Sequence, residues 1–128
     1  MRRATRPTAQ RSDSASDSVI VAKAMVRAAD RLEVQNRLLA RIIGLSEATI
    51  SRLRKGDYVL DGKALELAIM FIRLYRSLDA VVGGDDAVAK AWLKNRNSAL
   101  KDTPLALIQT VSGLTDVLHY LDARRAVV

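Results

Sequence analysis

The sequence predicts an all-α fold, and three observations predict it. Apolar residues recur at spacings of three and four through most of the chain. Helix start and stop signals follow each other at short intervals, at Asp61, Gly83-Gly84, Asp85-Asp86 and Thr103-Pro104. No apolar–polar alternation persists long enough to make a strand. The 128 residues suit one compact domain, or a small domain with appendages. Aromatic residues make up only 4% of a chain that is 49% apolar, so the core must be mostly Leu, Ile, Val and Ala.

Residues 1–17 are rich in Arg, Ser, Thr and Ala with almost no large apolar side chain, and are expected to form a disordered basic arm. Its Arg2, Arg3, Arg6 and Arg11 can touch phosphates or a minor groove, although a solvated tail is the simpler reading. Ser18 can cap a first helix whose Val19, Val21, Ala22, Met25, Val26 and Ala29 share one face. Two short helices follow, Gln35–Ile43 and Glu47–Lys55. Asp61 can cap a long helix carrying Leu65, Leu67, Ala68, Ile69, Phe71, Ile72, Leu74, Tyr75 and Leu78. An apolar face that wide belongs to a central helix or to a dimer contact. Gly83-Gly84 stops this helix, and Asp85-Asp86 begins the next, through Trp92. Thr103 offers a capping hydroxyl and Pro104 follows where no amide donor is needed. A last helix is expected from about Leu114 to Arg124.

The run Asn36–Gly56 has the parts of a helix-turn-helix, in which two helices are held at a fixed angle so that the second enters the major groove. Ala40 is small where the helices cross. Gly44 stands at the turn, where a positive φ suits glycine. Ser46 can cap the second helix. Leu45, Ile50 and Leu53 should face inward against Leu39 and Ile43, leaving Glu47, Ala48, Ser51, Arg52 and Lys55 outward. Arg52 is the candidate for a bidentate contact to guanine. Ser51, Arg54 and Lys55 suit phosphates, as does Asn36 at the start of the first motif helix. The candidate DNA-binding set is therefore Asn36, Ser46, Glu47, Ala48, Ser51, Arg52, Arg54 and Lys55. The bland alternative, a helical hairpin burying this face against protein, fits poorly with outward residues that are polar or basic.

Charge agrees with a polyanion partner for that region. The net charge of +7 is uneven. Residues 19–78 carry eleven Lys/Arg against six Asp/Glu, whereas residues 79–128 carry six of each. The absence of cysteine excludes disulfides, thiolate metal sites and cysteine nucleophiles. His119 is the only histidine, and one imidazole without clustered carboxylates makes neither a metal site nor a triad. Asp85-Asp86 reads as helix-start chemistry rather than as an acid–base pair. Trp92, at helical spacing from Val88, reads as core rather than as a binding anchor. With no phosphate loop and no nucleophile–base pair, no catalytic residue, metal or cofactor is expected. The apolar runs are too short for a membrane span, and the basic N-terminus lacks a signal-peptide core, so a cytoplasmic protein without membrane contact is expected.

Leu39-Ala40, Gly44-Leu45-Ser46, Thr49-Ile50-Ser51-Arg52-Leu53 and Gly56 stand where the Xre or Cro/repressor type of helix-turn-helix has them, so residues 18–60 resemble that DNA-binding region. Asn36 replaces the family's usual glutamine and Arg54 a frequent acidic residue. Further on, Ala91-Trp92-Leu93, Asn97-Ser98-Ala99-Leu100, Thr103-Pro104-Leu105, Gly113, Val117 and Leu121 resemble the toxin-binding domain of MbcA/ParS/Xre antitoxins. The resemblance implies a helical dimerisation and toxin-binding domain over 61–128. It further implies a type II toxin–antitoxin module whose partner is a RES-domain type toxin that consumes or uses NAD. Such antitoxins cover the toxin's active-site cleft largely with the C-terminal segment, here Arg124, Arg125, Ala126, Val127 and Val128, and repress their own operon by binding operator DNA as a homodimer. Read without the resemblance, Arg124 and Arg125 simply complement the dipole of the last helix. The competing functional reading is a plain dimeric Xre-type repressor with no toxin partner.

Overall fold

The structure, a computed structural model, describes residues 2–127, with side chains from Ser16 onward. Those residues form seven helices and no strand: α1 (Arg2–Leu32), α2 (Asn36–Ile43), α3 (Glu47–Arg54), α4 (Gly62–Val81), α5 (Asp86–Lys94), α6 (Pro104–Leu107) and α7 (Val111–Val127). The all-α expectation holds, and the only sheet-like pairing among them is an isolated bridge between Asn97 and Asp102.

α4 is the central helix. It packs against α1, α2, α5 and α7. Leu67, Ala68, Phe71, Ile72, Leu74 and Leu78 are buried on several sides of it, so the wide apolar face is used within the chain. Its exposed remainder is small, with Ile69 at 42%. The core is aliphatic as composition requires, and Phe71 is its only phenylalanine.

The first helix differs from its expected start. α1 is helical from Arg2, and the side chains of Arg2, Arg3, Arg6 and Arg11 lie outside the described ones. Ser18 is therefore inside the helix, not at its cap. It is buried, and its Oγ accepts a hydrogen bond of 2.7 Å from the Leu60 amide. This bond gives a partner to a buried backbone donor in the segment before α4. Met25, Ala28, Ala29 and Leu32 carry the buried stripe, while Val19 and Ile20 stay exposed. The chain leaves α1 through Glu33, whose φ of 55° is left-handed. Its carboxylate reaches Lys90 of α5 at 2.8 Å, joining the end of α1 to α5.

The caps at Asp85 and Thr103 form as expected. Asp85 Oδ1 accepts from the Ala87 and Val88 amides, and Thr103 Oγ1 from the Ala106 amide. Asp61 precedes α4 but makes no side-chain cap bond. The last helix starts earlier than expected, because Thr110 Oγ1 accepts from the Gly113 amide at 3.0 Å and holds the first turn. Gly113 is buried where α7 crosses the end of α6. A Cβ there would overlap the carbonyl of Leu107 and stand 3.0 Å from Thr110 Oγ1.

Two outcomes follow. Gly113→Ala pushes side chain against backbone, and should lower unfolding free energy by about 3 kcal/mol, at the upper end for overpacking, as measured by urea denaturation. The Glu33–Lys90 bond, through hydrogen bonding first and charge second, lowers the Glu33 pKa; hydrogen bonding to Glu33 is likewise the main cause raising that of Lys90. The Glu33 contribution is complete above the unfolded carboxylate pKa and disappears as pH falls through the lowered one. The Lys90 contribution is complete below the unfolded lysine pKa and disappears as pH rises through the raised one. Glu33→Gln should therefore be less stable than wild type at pH 7 and indistinguishable from it in acid, below the lowered carboxylate pKa.

Candidate nucleic-acid interface and C-terminal segment

α2 and α3 are locally determined. Gly44 adopts φ 81° and ψ 32°, and both its own amide and that of Leu45 bond the carbonyl of Ala40, closing α2 and turning the chain. Ser46 then caps α3, accepting from the Thr49 amide at 3.1 Å and lying 2.8 Å from the Thr49 hydroxyl. Glu47 in the first turn complements the helix dipole. Leu39, Ala40, Ile43, Ile50 and Leu53 are buried and Leu45 is half-buried, which locks the angle between the two helices.

The outer face of α3 presents Glu47, Ala48, Ser51, Arg52 and Lys55, all exposed, with Ser46 exposed at its start. Arg52 is oriented rather than free. Its guanidinium lies 5.7 Å from the centroid of the Tyr58 ring, and Nη2 donates to the Asp57 carbonyl at 3.5 Å. Stacking on a ring leaves the edge donors of a guanidinium available. This geometry suits a bidentate contact with a base edge.

Arg54 and Asn36 are placed differently from the other candidates. Arg54 Nε donates to Asn36 Oδ1 at 2.7 Å, and its Nη2 lies 3.0 Å from Asp30 Oδ1. One side chain of α3 thus ties α2 and α1 together. Neither tie is visible in the local pattern, because Asp30 and Asn36 lie on other helices. The only sequence signal was the substitution itself, an arginine where a helix-turn-helix often has an acid.

At the far end of the chain, Arg124, Arg125, Ala126 and Val127 are all exposed on the last turns of α7, Val127 at 86%. Val128 lies outside the described residues. Arg124 Nη1 donates to the Tyr120 hydroxyl at 3.3 Å, and Arg125 Nη1 to Ser77 Oγ at 3.5 Å. Trp92, expected in the core, is only half-buried and stacks on Tyr120. His119 is exposed. Among the described residues there is no group of three or more His, Cys, Asp or Glu able to hold a metal, and no helix long and apolar enough to cross a membrane.

With α3 in a major groove, Arg52→Ala should weaken DNA binding by about 1–3 kcal/mol, as for one lost bidentate base contact. Arg54→Ala should show itself first in a lower unfolding midpoint, because it removes the tie to Asn36 and Asp30. Titration of a labelled upstream fragment and thermal melting of both variants separate the two effects.

Comparison with known families accounts for nearly the whole chain. Residues 6–73 match the family model of the antitoxin Xre-like helix-turn-helix domain. Residues 77–126 match that of the antitoxin Xre/MbcA/ParS C-terminal toxin-binding domain. Curated proteins give no match. α4 is divided between the two matched regions.

Proposed function

The chain belongs to the Xre-like antitoxin helix-turn-helix family, and on that premise we propose that its partner is a RES-domain type toxin that consumes NAD. The antitoxin blocks the toxin's active-site cleft with Arg124, Arg125, Ala126, Val127 and Val128, and represses its own operon through α3. One observation carries this reading. The matched toxin-binding region runs to residue 126, and the last turns of α7 leave two arginines and small apolar side chains exposed.

The chemistry is consistent. A cleft that accepts a dinucleotide pyrophosphate favours cations near the phosphate site and uses acidic groups elsewhere. An arginine entering it can pair with a carboxylate through a planar fork, while Ala126 and Val127 fill space without adding a polar group to bury. Blocking a cleft needs no chemistry from the inhibitor, and the antitoxin itself acts as a binding protein without catalytic residues or cofactor.

On the DNA side, Arg52 reads a base edge, and Ser46, Glu47, Ala48, Ser51 and Lys55 line the groove. Asn36 and Arg54 set the orientation of α3 and reach phosphates from its flank. The basic excess over residues 19–78 supplies the salt-dependent part of the affinity. Two copies bind a palindromic operator as a homodimer, since helix-turn-helix readers pair on two half-sites. In functional terms the chain divides into a basic arm at 1–17, a DNA-binding region at 18–60 and a toxin-binding and dimerisation region at 61–128, working in the cytoplasm.

Deleting residues 124–128 should release the toxin while leaving operator affinity intact. The assay is NAD consumption by the protein encoded beside this chain, co-purified with the full-length or shortened antitoxin. Restored NAD breakdown with the shortened chain supports the reading. A shortened chain that still silences the toxin places the block elsewhere on the surface.

A further inference from the structure

We propose that the two adjacent arginines at the end of α7 do different work. Arg124 is presented on a Trp92–Tyr120 stack to meet a carboxylate of the partner protein, and Arg125 is a strut that holds α7 on α4. The inference rests on the reading that the C-terminal segment engages a protein partner, and adds which arginine does so and which residues aim it.

Consecutive residues of a helix point about 100° apart, so Arg124 and Arg125 leave α7 in different directions. Arg124 lies over the ring of Tyr120, one turn earlier, with its Cζ 5.8 Å from the centroid and Nη1 3.3 Å from the hydroxyl. Tyr120 in turn stacks on Trp92 of α5, with centroids 6.2 Å apart and planes 18° from parallel. Trp92, the only tryptophan of the chain, and Tyr120 are half-buried, whereas Arg124 is exposed. The three side chains form a ladder running from the body of the protein outward to a guanidinium. Among the described residues Arg124 has no carboxylate partner. Only one of its donors is used by Tyr120, so others remain for a fork-like pair.

Arg125 faces a site already furnished with acceptors. Its Nη1 is 3.5 Å from Ser77 Oγ; Ser77 is 2% exposed and donates to Asp122 Oδ1 at 2.6 Å. Asp122 also faces Arg73 of α4 at 3.7 Å. Arg73, Ser77, Asp122 and Arg125 thus form a cluster that joins α7 to α4.

A guanidinium already held on a ring has less rotamer freedom to lose on binding than a free one. Trp92 and Tyr120 are therefore positioning residues for Arg124.

The test compares full-length wild type with Arg124→Ala, Arg124→Lys, Arg125→Ala, Tyr120→Phe and Tyr120→Leu. In the free protein, ring currents should move the Arg124 δ protons upfield in wild type and Tyr120→Phe, and leave them at ordinary shifts in Tyr120→Leu. Ordinary shifts in wild type overturn the ladder without reference to any partner. In complex with the protein encoded beside this chain, Arg124→Ala, Arg124→Lys and Tyr120→Leu should each dissociate at least tenfold faster. Arg125→Ala should speed dissociation less than Arg124→Ala does and lower the thermal unfolding midpoint, and operator affinity should be unchanged in all. Equal losses from Arg124→Ala and Arg125→Ala, or full rescue by Arg124→Lys, contradict the division of labour. If wild type forms no complex with that protein, the proposed partner is wrong. If it forms one that Tyr120→Leu leaves intact, the ladder alone is wrong.

Discussion

Burial of one helix on several sides holds this protein together. α4 meets α1, α2, α5 and α7, and Leu67, Ala68, Phe71, Ile72, Leu74 and Leu78 lose nearly all contact with water. Apolar area removed from water is the dominant favourable contribution in folding. In a chain with 4% aromatic residues it must come from many aliphatic contacts converging on a shared surface. The short helices α2, α3, α5 and α6 could not persist alone in water. They exist because α4, directly or through a neighbour, gives their apolar faces something to cover.

The same helix separates the two surfaces proposed for DNA and for the partner protein. Leu67 of α4 reaches the turn of the helix-turn-helix, 3.8 Å from where a Cβ on Gly44 would stand. Ser77 reaches the last turns of α7 through Asp122 and Arg125. Ten residues of helix put those two points about 15 Å apart along the axis. One region carries the exposed basic face of α3, and the other the exposed end of α7. The split of charge along the sequence follows this arrangement, with the positive excess on the DNA side and balance on the other. The boundary between the two matched family regions falls within α4, so the helix belongs structurally to both.

Features set by neighbours in sequence were legible in it. Gly44 and Ser46 announce a turn and a cap, and both form. Asp85 and Thr103 do the same for α5 and α6. The inward positions of α3 follow from helical spacing alone. Features set by distant neighbours were not legible. Ser18 looks like a cap by composition, but it serves a backbone donor at Leu60, a relation no local pattern encodes. Nor does the local pattern show that Arg54, besides suiting a phosphate, joins Asn36 and Asp30 across three helices. Trp92 reads as core because its spacing is helical, and only the position of Tyr120 on α7 reveals the stack. Thr110 is not legible as a cap, because valine and serine rather than a clear apolar repeat follow it.

If α4 keeps the DNA face and the C-terminal segment apart, the partner protein and operator DNA should bind the same molecule together. The direct measurement is sedimentation of the full chain with a labelled operator fragment and a saturating amount of the protein encoded beside it. One ternary species is expected, with DNA affinity within a few-fold of that without partner. Release of the DNA as the partner binds would show that the two surfaces overlap or are coupled, and would contradict the account.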